Sequence, residues 1–392
     1  MFEFLLPLLT LLLFAKGFGE IFHHYGFSPI IGEVAVGVVF GPAVFGWFRP
    51  DAYIESVAML GLIMLMLTSG MNSRVDLFKK VKFKATVVAL GGMGVSFFLS
   101  FLVVYAGGYG VLPALFVAAA LSNTATEIVA RVTEGHHLHQ LFVGAALIDD
   151  ILAVYVLGVL SSIAIKGQID TIGILWTTFG ILMFFLFVGL VSYELIIKRN
   201  VMKILWRLEH RGIPLAFVVV FTLALAVIAQ QIGLHAIIGA YMAGLFIGRM
   251  RERPKITLQS TIRLNKMISE VSGSLQSLLT PMFFVYIGLQ FAPNWGAVNY
   301  VVLPVLVLAA FAGKILGCGS AASLVGHEKE AAVVGVAMIP RGALELAVIQ
   351  FGLLSIAGFT QELFAMMVIT TLATTLVGPI LYRIVKARKA AR

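Results

Sequence analysis

The chain has 392 residues, of which 60% are hydrophobic and 12% are charged. Its mean hydropathy is +1.01, and apolar windows of about 20 residues, long enough to cross a bilayer, recur along its length. This composition excludes an ordinary soluble domain and predicts an all-α polytopic membrane protein. The net charge of +9 would suggest nucleic acid in a soluble protein. The single cysteine, Cys318, excludes an internal disulfide.

The apolar segments predict about 13 transmembrane helices in one integral membrane protein over residues 1–392. The predicted spans are 2–24, 28–47, 54–72, 85–107, 110–131, 141–164, 170–193, 213–231, 235–250, 273–292, 299–324, 331–355 and 361–384. Most lysines and arginines then fall in loops on one side of the membrane, including the groups at 79–84, 198–211, 249–255 and 383–392. The positive-inside rule places the N-terminus outside and the C-terminus in the cytoplasm of a prokaryotic inner or plasma membrane. Topology thus accounts for the net charge, and no nucleic-acid partner is predicted.

Two adjacent aspartates, Asp149 and Asp150, lie in the middle of the apolar stretch 141–164. A carboxylate at the centre of a membrane helix costs about 3 kcal/mol, so such residues face a cavity, an ion or a counter-charge. Lys314 also lies mid-span, and an aspartate is its natural partner, because an unpaired buried ammonium would lose its proton. These residues predict an ion or proton site. A static salt bridge that only joins helices is the alternative for Lys314.

Two spans contain polar or helix-breaking residues at mid-depth. They are Asn123, Thr124, Thr126 and Glu127 in the segment 121–127, and Pro340, Arg341 and Gly342 in the segment 338–345. Interrupted helices at membrane depth occur only where they line a cavity or are buried in protein. Each is followed by one more helix, and the two units lie an odd number of spans apart. The pattern predicts inverted repeats with two discontinuous crossing helices, which is typical of secondary transporters.

Three further carboxylates lie within predicted spans. Glu345 follows Arg341 at i+4, so the two can neutralise each other inside the membrane. Glu127 lies four residues before Arg131, which predicts a local ion pair, with a role in ion entry as the alternative. Glu33 is predicted to be either a hydrogen-bonded structural carboxyl or a group that supports the ion site.

At these residues the chain resembles the cation:proton antiporter superfamily, specifically the NapA-like bacterial sodium/proton antiporters with an Asp–Asp motif. The resemblance covers nearly the whole length. The matching motifs are 31–34 with Gly41 and Pro42, Thr124 with 130–132, 145–150, 238–240, 281–284 with Gly288, 313–317 and 340–342. Most are weak singly, but the joint occurrence of the two aspartates, the lysine and the Pro–Arg–Gly sequence is specific.

The resemblance implies an antiporter fold of the NhaA and NapA type, with a Na⁺ site formed by Asp150, Asp149 and Thr124. Asp150 would bind the cation and carry the proton, and Asp149 would pair with Lys314 when no ion is bound. Asn123 and Thr126 would be neighbouring polar groups. The chain departs from the family at Ala343, where a glutamate is usual, and at Glu127, where a small residue is expected.

The resemblance also implies a domain division and a mode of movement. A core domain over about 54–164 and 299–384 would carry the ion site. A dimerisation or scaffold domain would cover about 1–47 and 170–250, with 251–292 linking to the core. The core would move against the scaffold in an elevator-like step within a homodimer.

The expected function is secondary transport that exchanges Na⁺ or Li⁺ for protons, with no enzymatic reaction and no cofactor. Proton and cation would compete for Asp150, and loss of a second proton from Lys314 would make the exchange electrogenic. A K⁺/H⁺ antiporter shares every motif and is the first alternative. A sodium-coupled symporter of an organic anion, or a channel-like efflux pathway, is less favoured, because Lys314 and the two aspartates leave no polar room for an organic substrate.

Overall fold

The computed structural model describes residues 5–72, 75–166, 171–192, 213–232, 234–250, 258–356 and 358–390. Within these ranges every regular element is a helix. Seven of the described helices are long and apolar enough to cross a membrane, when the two parts of 111–132 are counted together, and further apolar helices of 10–17 residues accompany them. The prediction of an all-helical polytopic protein is confirmed. The basic groups at 198–211 and 251–255 lie outside the described residues.

The first half of the described chain contains eight helices. They are α1 (Leu5–His24), α2 (Pro29–Phe40), α3 (Ala52–Asn72), α4 (Val75–Ala106), α5 (Val111–Ser122), α6 (Thr126–Val132), α7 (His139–Lys166) and α8 (Thr171–Ser192). The span predicted at 110–131 is therefore two helices, α5 and α6, separated by residues 123–125.

The second half of the described chain contains eight more. They are α9 (Ile213–Gln231), α10 (Ala236–Arg249), α11 (Leu258–Glu270), α12 (Ser277–Gln290), α13 (Val302–Leu324), α14 (Ala331–Ala337), α15 (Ala343–Ser355) and α16 (Gln361–Ala390). A π-helical turn, Val271–Gln276, joins α11 to α12, and a short 3₁₀ turn, Glu328–Glu330, precedes α14. The span predicted at 331–355 is likewise divided, at residues 338–342.

Among the predicted boundaries that were wrong by several residues, two have a clear physical cause. The second span was expected to continue to 47, but α2 ends at Phe40. Gly41 is extended there and is followed by Pro42, and a residue before proline avoids the helical conformation. The fourth span was expected to start at 85, but α4 begins at Val75. Lysines are good helix formers, so the basic segment 79–84 continues the helix beyond its apolar part.

The chain forms two compact units. The first consists of Met1–Glu55, Leu77–Val156 and Phe284–Arg392, and the second of Ser56–Asp76 and Leu157–Phe283. This grouping differs from the predicted one, in which 1–47 belonged to the scaffold and 54–72 to the core. The assignment of core and dimerisation functions to the units stays a proposal.

Paired glycines explain why the sequence did not show this grouping. In the first unit, a Cβ atom on Gly37 of α2 would lie only 2.7 Å from the Cα atom of Gly288 in α12. In the second unit, a Cβ atom on Gly70 of α3 would lie 2.9 Å from the Cα atom of Gly244 in α10. Such small residues let helix backbones approach closely in a membrane. A single glycine in an apolar run does not reveal which helix it will contact.

Small residues also line the core of the first unit, around α4, α7 and α13. The fully or almost fully buried alanines are Ala85, Ala89, Ala145, Ala146, Ala321 and Ala322. Cys318 lies among them as a free, buried thiol. These side chains pack the helices closely beside the interrupted segments.

Candidate ion-binding site

The two interrupted segments contact each other in the first unit. The backbone N–H of Ala125 donates to the carbonyl of Pro340 at 2.9 Å. The hydroxyl of Thr124 lies 3.3 Å from the carbonyl oxygen of Met338. Backbone groups that leave a helix at membrane depth need partners of this kind, because water is absent there. The first interruption (123–125) and the second interruption (338–342) therefore satisfy part of each other's hydrogen bonding.

Asp149, on α7, forms a buried ion pair. Its Oδ2 atom lies 2.6 Å from Nζ of Lys314 on α13, and both side chains are fully buried. The same oxygen accepts a hydrogen bond from the Thr124 hydroxyl at 2.7 Å. The other carboxylate oxygen, Oδ1, is buried and has no hydrogen-bond partner within the described residues. Asp149 thus uses one oxygen for Lys314 and Thr124, and its other oxygen is available to bind a ligand.

Asp150 has a different environment, because consecutive residues on a helix point about 100° apart. Its Oδ2 atom accepts a hydrogen bond from the Thr126 hydroxyl at 2.7 Å. Its Oδ1 atom lies 3.4 Å from Nδ2 of Asn123. The described part of the chain places no basic group within 4.0 Å of this carboxylate, which is only 6% exposed. The structure therefore holds Asp150 with neutral donors alone.

Arg341 lies in the second interruption and is completely buried. Its Nη1 atom donates to the carbonyl of Asn123 at 2.5 Å. Its Nη2 atom donates to Oγ of Ser96 at 3.2 Å and to the carbonyl of Ala310 at 3.3 Å. The arginine thereby connects the first interruption to α4 and α13.

The expected ion pair between Arg341 and Glu345 is not formed. Glu345 Oε2 instead accepts the backbone N–H of Gly342 at 2.7 Å. The reason is positional. Because α15 begins at Ala343, Glu345 lies in its first turn, from which a glutamate reaches back to the residue that precedes the helix. Glu345 is buried, and its Oε1 atom has no hydrogen-bond partner among the described residues.

The remaining predicted residues have separate locations. Glu33 is buried in α2, where its Oε1 atom lies 3.2 Å from the position of a Cβ atom on Gly19 of α1. Its charged neighbour is Lys16, also on α1. Glu127 lies exposed in the first turn of α6 and interacts electrostatically with Arg131, without an ion pair within 4.0 Å in the described part of the chain. Neither carboxylate joins the polar contacts of Asp150.

Sequence reasoning missed Ser96. Its hydroxyl donates to the carbonyl of Leu121 at 2.7 Å, at the end of α5, and accepts from Arg341. A Cβ atom on Gly313 would lie 2.6 Å from the Cα atom of Ser96, so α4 and α13 approach closely at this level. A lone serine in an apolar helix was the only available signal. Thr375 on α16 was also missed, although its hydroxyl donates to the carbonyl of Arg341 at 2.6 Å.

The arrangement brings together two carboxylates, two hydroxyls and the amide side chain of Asn123, whose oxygen is buried and has no partner within the described ranges. Oxygen ligands of these types replace the hydration shell of small hard cations. A buried carboxylate without a counter-charge also binds a proton readily. The site can therefore hold either a cation or a proton.

Adjoining interrupted helices around buried ionisable residues are the architecture of a secondary transporter. The chain belongs to the sodium/hydrogen exchanger family of transmembrane proteins, whose model matches residues 8–386. It is thus an integral membrane protein of a transporter family, and the resemblance to cation:proton antiporters is confirmed.

Individual relatives agree with this membership. The chain is 25% identical to the Na⁺/H⁺-K⁺ antiporter GerN of Bacillus cereus, over 96% of this chain and 95% of GerN. It is also 25% identical to a Na⁺/H⁺ antiporter of Enterococcus hirae, over 96% of each chain. Among solved structures, it matches the sodium proton antiporter MjNhaP1 of Methanocaldococcus jannaschii with a TM-score of 0.66 and 16% identity, over 98% of this chain and 97% of that chain. The last likeness shows the fold.

Proposed function

We propose that the protein exchanges a monovalent cation for protons across a membrane, with Na⁺ or Li⁺ as the cation. The observation that carries the proposal is the environment of Asp150, a buried carboxylate with hydroxyl and amide partners and no basic group within 4.0 Å in the described chain. Such a group needs a positive charge when ionised, because a lone buried charge is costly. A proton or a cation supplies it.

The exchange cycle follows from this competition. When Asp150 is protonated, the site carries no cation. A cation that enters displaces the proton and binds Asp150, the free Oδ1 atom of Asp149 and the Asn123 oxygen. Thr124 and Thr126 hold the two carboxylates in position. Because proton and cation cannot occupy Asp150 together, each moves only when the other has left.

The exchange is electrogenic in this proposal, since a second proton leaves for each cation. Net movement of one charge then couples transport to the membrane potential at about 2.3 kcal/mol per 100 mV. Lys314 was the carrier expected from the sequence.

The proposal includes an elevator movement of the site-bearing unit, inverted repeats that contain the two interruptions, and a homodimer. It also includes a prokaryotic plasma membrane with the N-terminus outside and the C-terminus in the cytoplasm. The two interrupted helices support the repeats, the resemblance to the NapA-like antiporters supports the movement, and the basic loops support the orientation. The resemblance to the NapA-like antiporters supports the dimer.

Potassium is the second candidate cation, because one relative, GerN, is named a Na⁺/H⁺-K⁺ antiporter. The same oxygen ligands suit either ion, and selectivity depends on cavity size and ligand number.

Reconstitution in proteoliposomes with a pH-sensitive dye inside tests the function. Additions of Na⁺, Li⁺ and K⁺ to the outside should cause proton movement for the transported ions only. Asp150→Asn should abolish this movement, because an amide has no negative charge with which to hold a proton or a cation. Asp51→Asn is the matched control: Asp51 caps α3 through a 2.8 Å bond from Ile54, which asparagine also accepts. Wild-type exchange in Asp150→Asn would remove Asp150 from the mechanism.

A further inference from the structure

Glu345 is a buried carboxylate near the site that the cycle above does not use. It is 1% exposed. One oxygen accepts the Gly342 N–H, while the other is buried with no hydrogen-bond partner in the described chain. No basic group of the described chain lies within 4.0 Å of it. Glu345 therefore shares the defining feature of Asp150, a buried carboxyl without a paired counter-charge.

Glu345 is also close to Asp150. A Cβ atom on Gly342 would lie 3.5 Å from Oε2 of Glu345 and 2.8 Å from the Cβ atom of Ala125. Ala125 directly precedes Thr126, which donates to Asp150. The two carboxyl groups interact electrostatically. Gly342 thus adjoins both the Glu345 carboxylate and the residue that precedes Thr126.

Few other charged groups face Glu345. Arg341 faces it from the second interruption and Lys314 from α13. Helix α5 packs against α15 and has no ionisable side chain. Helix α16 also packs against α15, but its ionisable side chains lie only in its first turn and from Tyr382 onward.

Lys314 and Arg341 are both engaged elsewhere. The Lys314 side chain lies 2.6 Å from a carboxylate oxygen of Asp149, in the geometry of a charge-assisted hydrogen bond. Arg341 donates through Nη1 and Nη2 to the Asn123 and Ala310 carbonyls and to Ser96, and its Nε is buried without a hydrogen-bond partner among the described residues. Asp150 and Glu345 are like charges in a low-dielectric site, so both ionise together only when another positive charge lies between them.

We propose that Glu345 is a second proton-carrying carboxyl of the site, coupled to Asp150. In the empty site each of the two carboxyl groups holds a proton. An arriving Na⁺ breaks both O–H bonds and remains with two carboxylates, so that one Na⁺ is bound and two protons are released. The second proton of the electrogenic cycle thus comes from Glu345, and Lys314 stays protonated. This inference rests on the proposed function.

Proton release on Na⁺ binding tests the inference without transport. Purified protein in detergent and weak buffer, at mildly acidic pH, receives ²²Na⁺, and bound Na⁺ and released protons are counted together. Wild-type protein should release two protons per bound Na⁺, and Glu345→Gln should release one. Glutamine can still accept the Gly342 N–H, so the start of α15 is preserved. Glu362→Gln, the same change in the first turn of α16, should release two.

Two more variants separate the possible carriers. Lys314→Arg keeps the counter-charge of Asp149 on a group that does not lose its proton, and it should still release two protons per bound Na⁺, whereas a fall to one would assign the second proton to the lysine and overturn the inference. Glu345→Asp keeps a carboxyl group and should also release two protons per bound Na⁺. This variant tests the inference if Glu345→Gln does not fold. A wild-type ratio of one, or a ratio of two in Glu345→Gln, would also overturn it. If the inference is overturned but Na⁺ still drives proton movement in proteoliposomes, the proposed antiport stands. If Na⁺ drives no proton movement in proteoliposomes, the proposed antiport itself is rejected.

Discussion

The two interruptions differ in chemistry although they contact each other. Asn123 and Thr124 of the first interruption, together with Thr126 in the adjoining first turn of α6, donate hydrogen bonds to the two aspartates of α7. In the second, the Pro340 carbonyl and the Arg341 side chain bind the backbone of the first interruption. One interruption thus contacts the ion site with its side chains, and the other supports the first. Residues of the two should therefore affect different measured quantities when they are changed.

The largest effect is expected at the buried ion pair of Asp149 and Lys314, which the first interruption contacts through Thr124. Lys314→Gln leaves Asp149 as a buried carboxylate without its partner. Removing one member of a buried pair typically costs about 3–5 kcal/mol. Thermal unfolding in detergent should show a large fall in stability, whereas Lys82→Gln, at an exposed lysine of α4, should show little change. Equal stability of the two variants would mean that the pair contributes nothing.

Arg341→Gln tests the supporting role of the second interruption. It removes hydrogen bonds to the Asn123 and Ala310 carbonyls and to Ser96. Loss of a charged donor that leaves buried acceptors unsatisfied costs about 3 kcal/mol. We expect a clear fall in unfolding temperature compared with Arg49→Gln, at an exposed arginine. An unchanged unfolding temperature would contradict the supporting role.

A matched pair of threonine variants compares the two interruptions through a residue that directly follows the first, Thr126, and a residue that contacts the second, Thr375. Thr126→Val removes a hydrogen bond to Asp150 and should raise the Na⁺ concentration for half-maximal exchange about tenfold, equivalent to roughly 1.4 kcal/mol. Thr375→Val removes a bond to the Arg341 carbonyl and should lower stability while leaving that concentration within about twofold, since it touches no aspartate. The comparison fails if Thr375→Val weakens Na⁺ affinity as much as Thr126→Val.

The smallest effect is expected in the loop after α6. Burial, His137 and the lysines Lys386 and Lys389 lower the pKa of His136 from its ordinary value of 6.5. His136 therefore binds a proton more readily in the unfolded chain than in the folded chain. The free energy of unfolding should decline as the pH falls below about 6.5. His136→Asn should flatten this decline in unfolding temperature between neutral and mildly acidic buffer. Parallel curves for wild type and variant would show that His136 does not contribute.

The sequence predicted correctly the features that follow from the free-energy cost of placing a residue inside the membrane. Charged and helix-breaking residues in apolar spans are expensive, so Asp149, Lys314 and Pro340 could be singled out, and the structure brings the first two together and interrupts the helix at the third. Partner choice was harder. Arg341 was expected to meet the nearest carboxylate in sequence, but carbonyls freed from an interrupted helix compete for it, and these exist only after folding.

The helix cap formed by Glu345 and the close glycine contacts between helices could not be predicted from the sequence. Whether Glu345 meets Arg341 or Gly342 depends on the residue at which α15 begins, and boundaries are the least certain part of a sequence reading. The glycine contacts of α2 with α12 and of α3 with α10 fix the composition of the two units. They involve residues far apart in the chain, with no charge or period to connect them.

The bond from Ala125 N–H to the Pro340 carbonyl gives the site an internal reporter. This amide belongs to no helix, yet it is hydrogen-bonded in a buried segment, so it exchanges with deuterium only when the two interruptions separate. Neighbouring helical amides respond to helix opening instead. The exchange rate of the Ala125 amide is therefore a direct measure of how often the two interruptions separate.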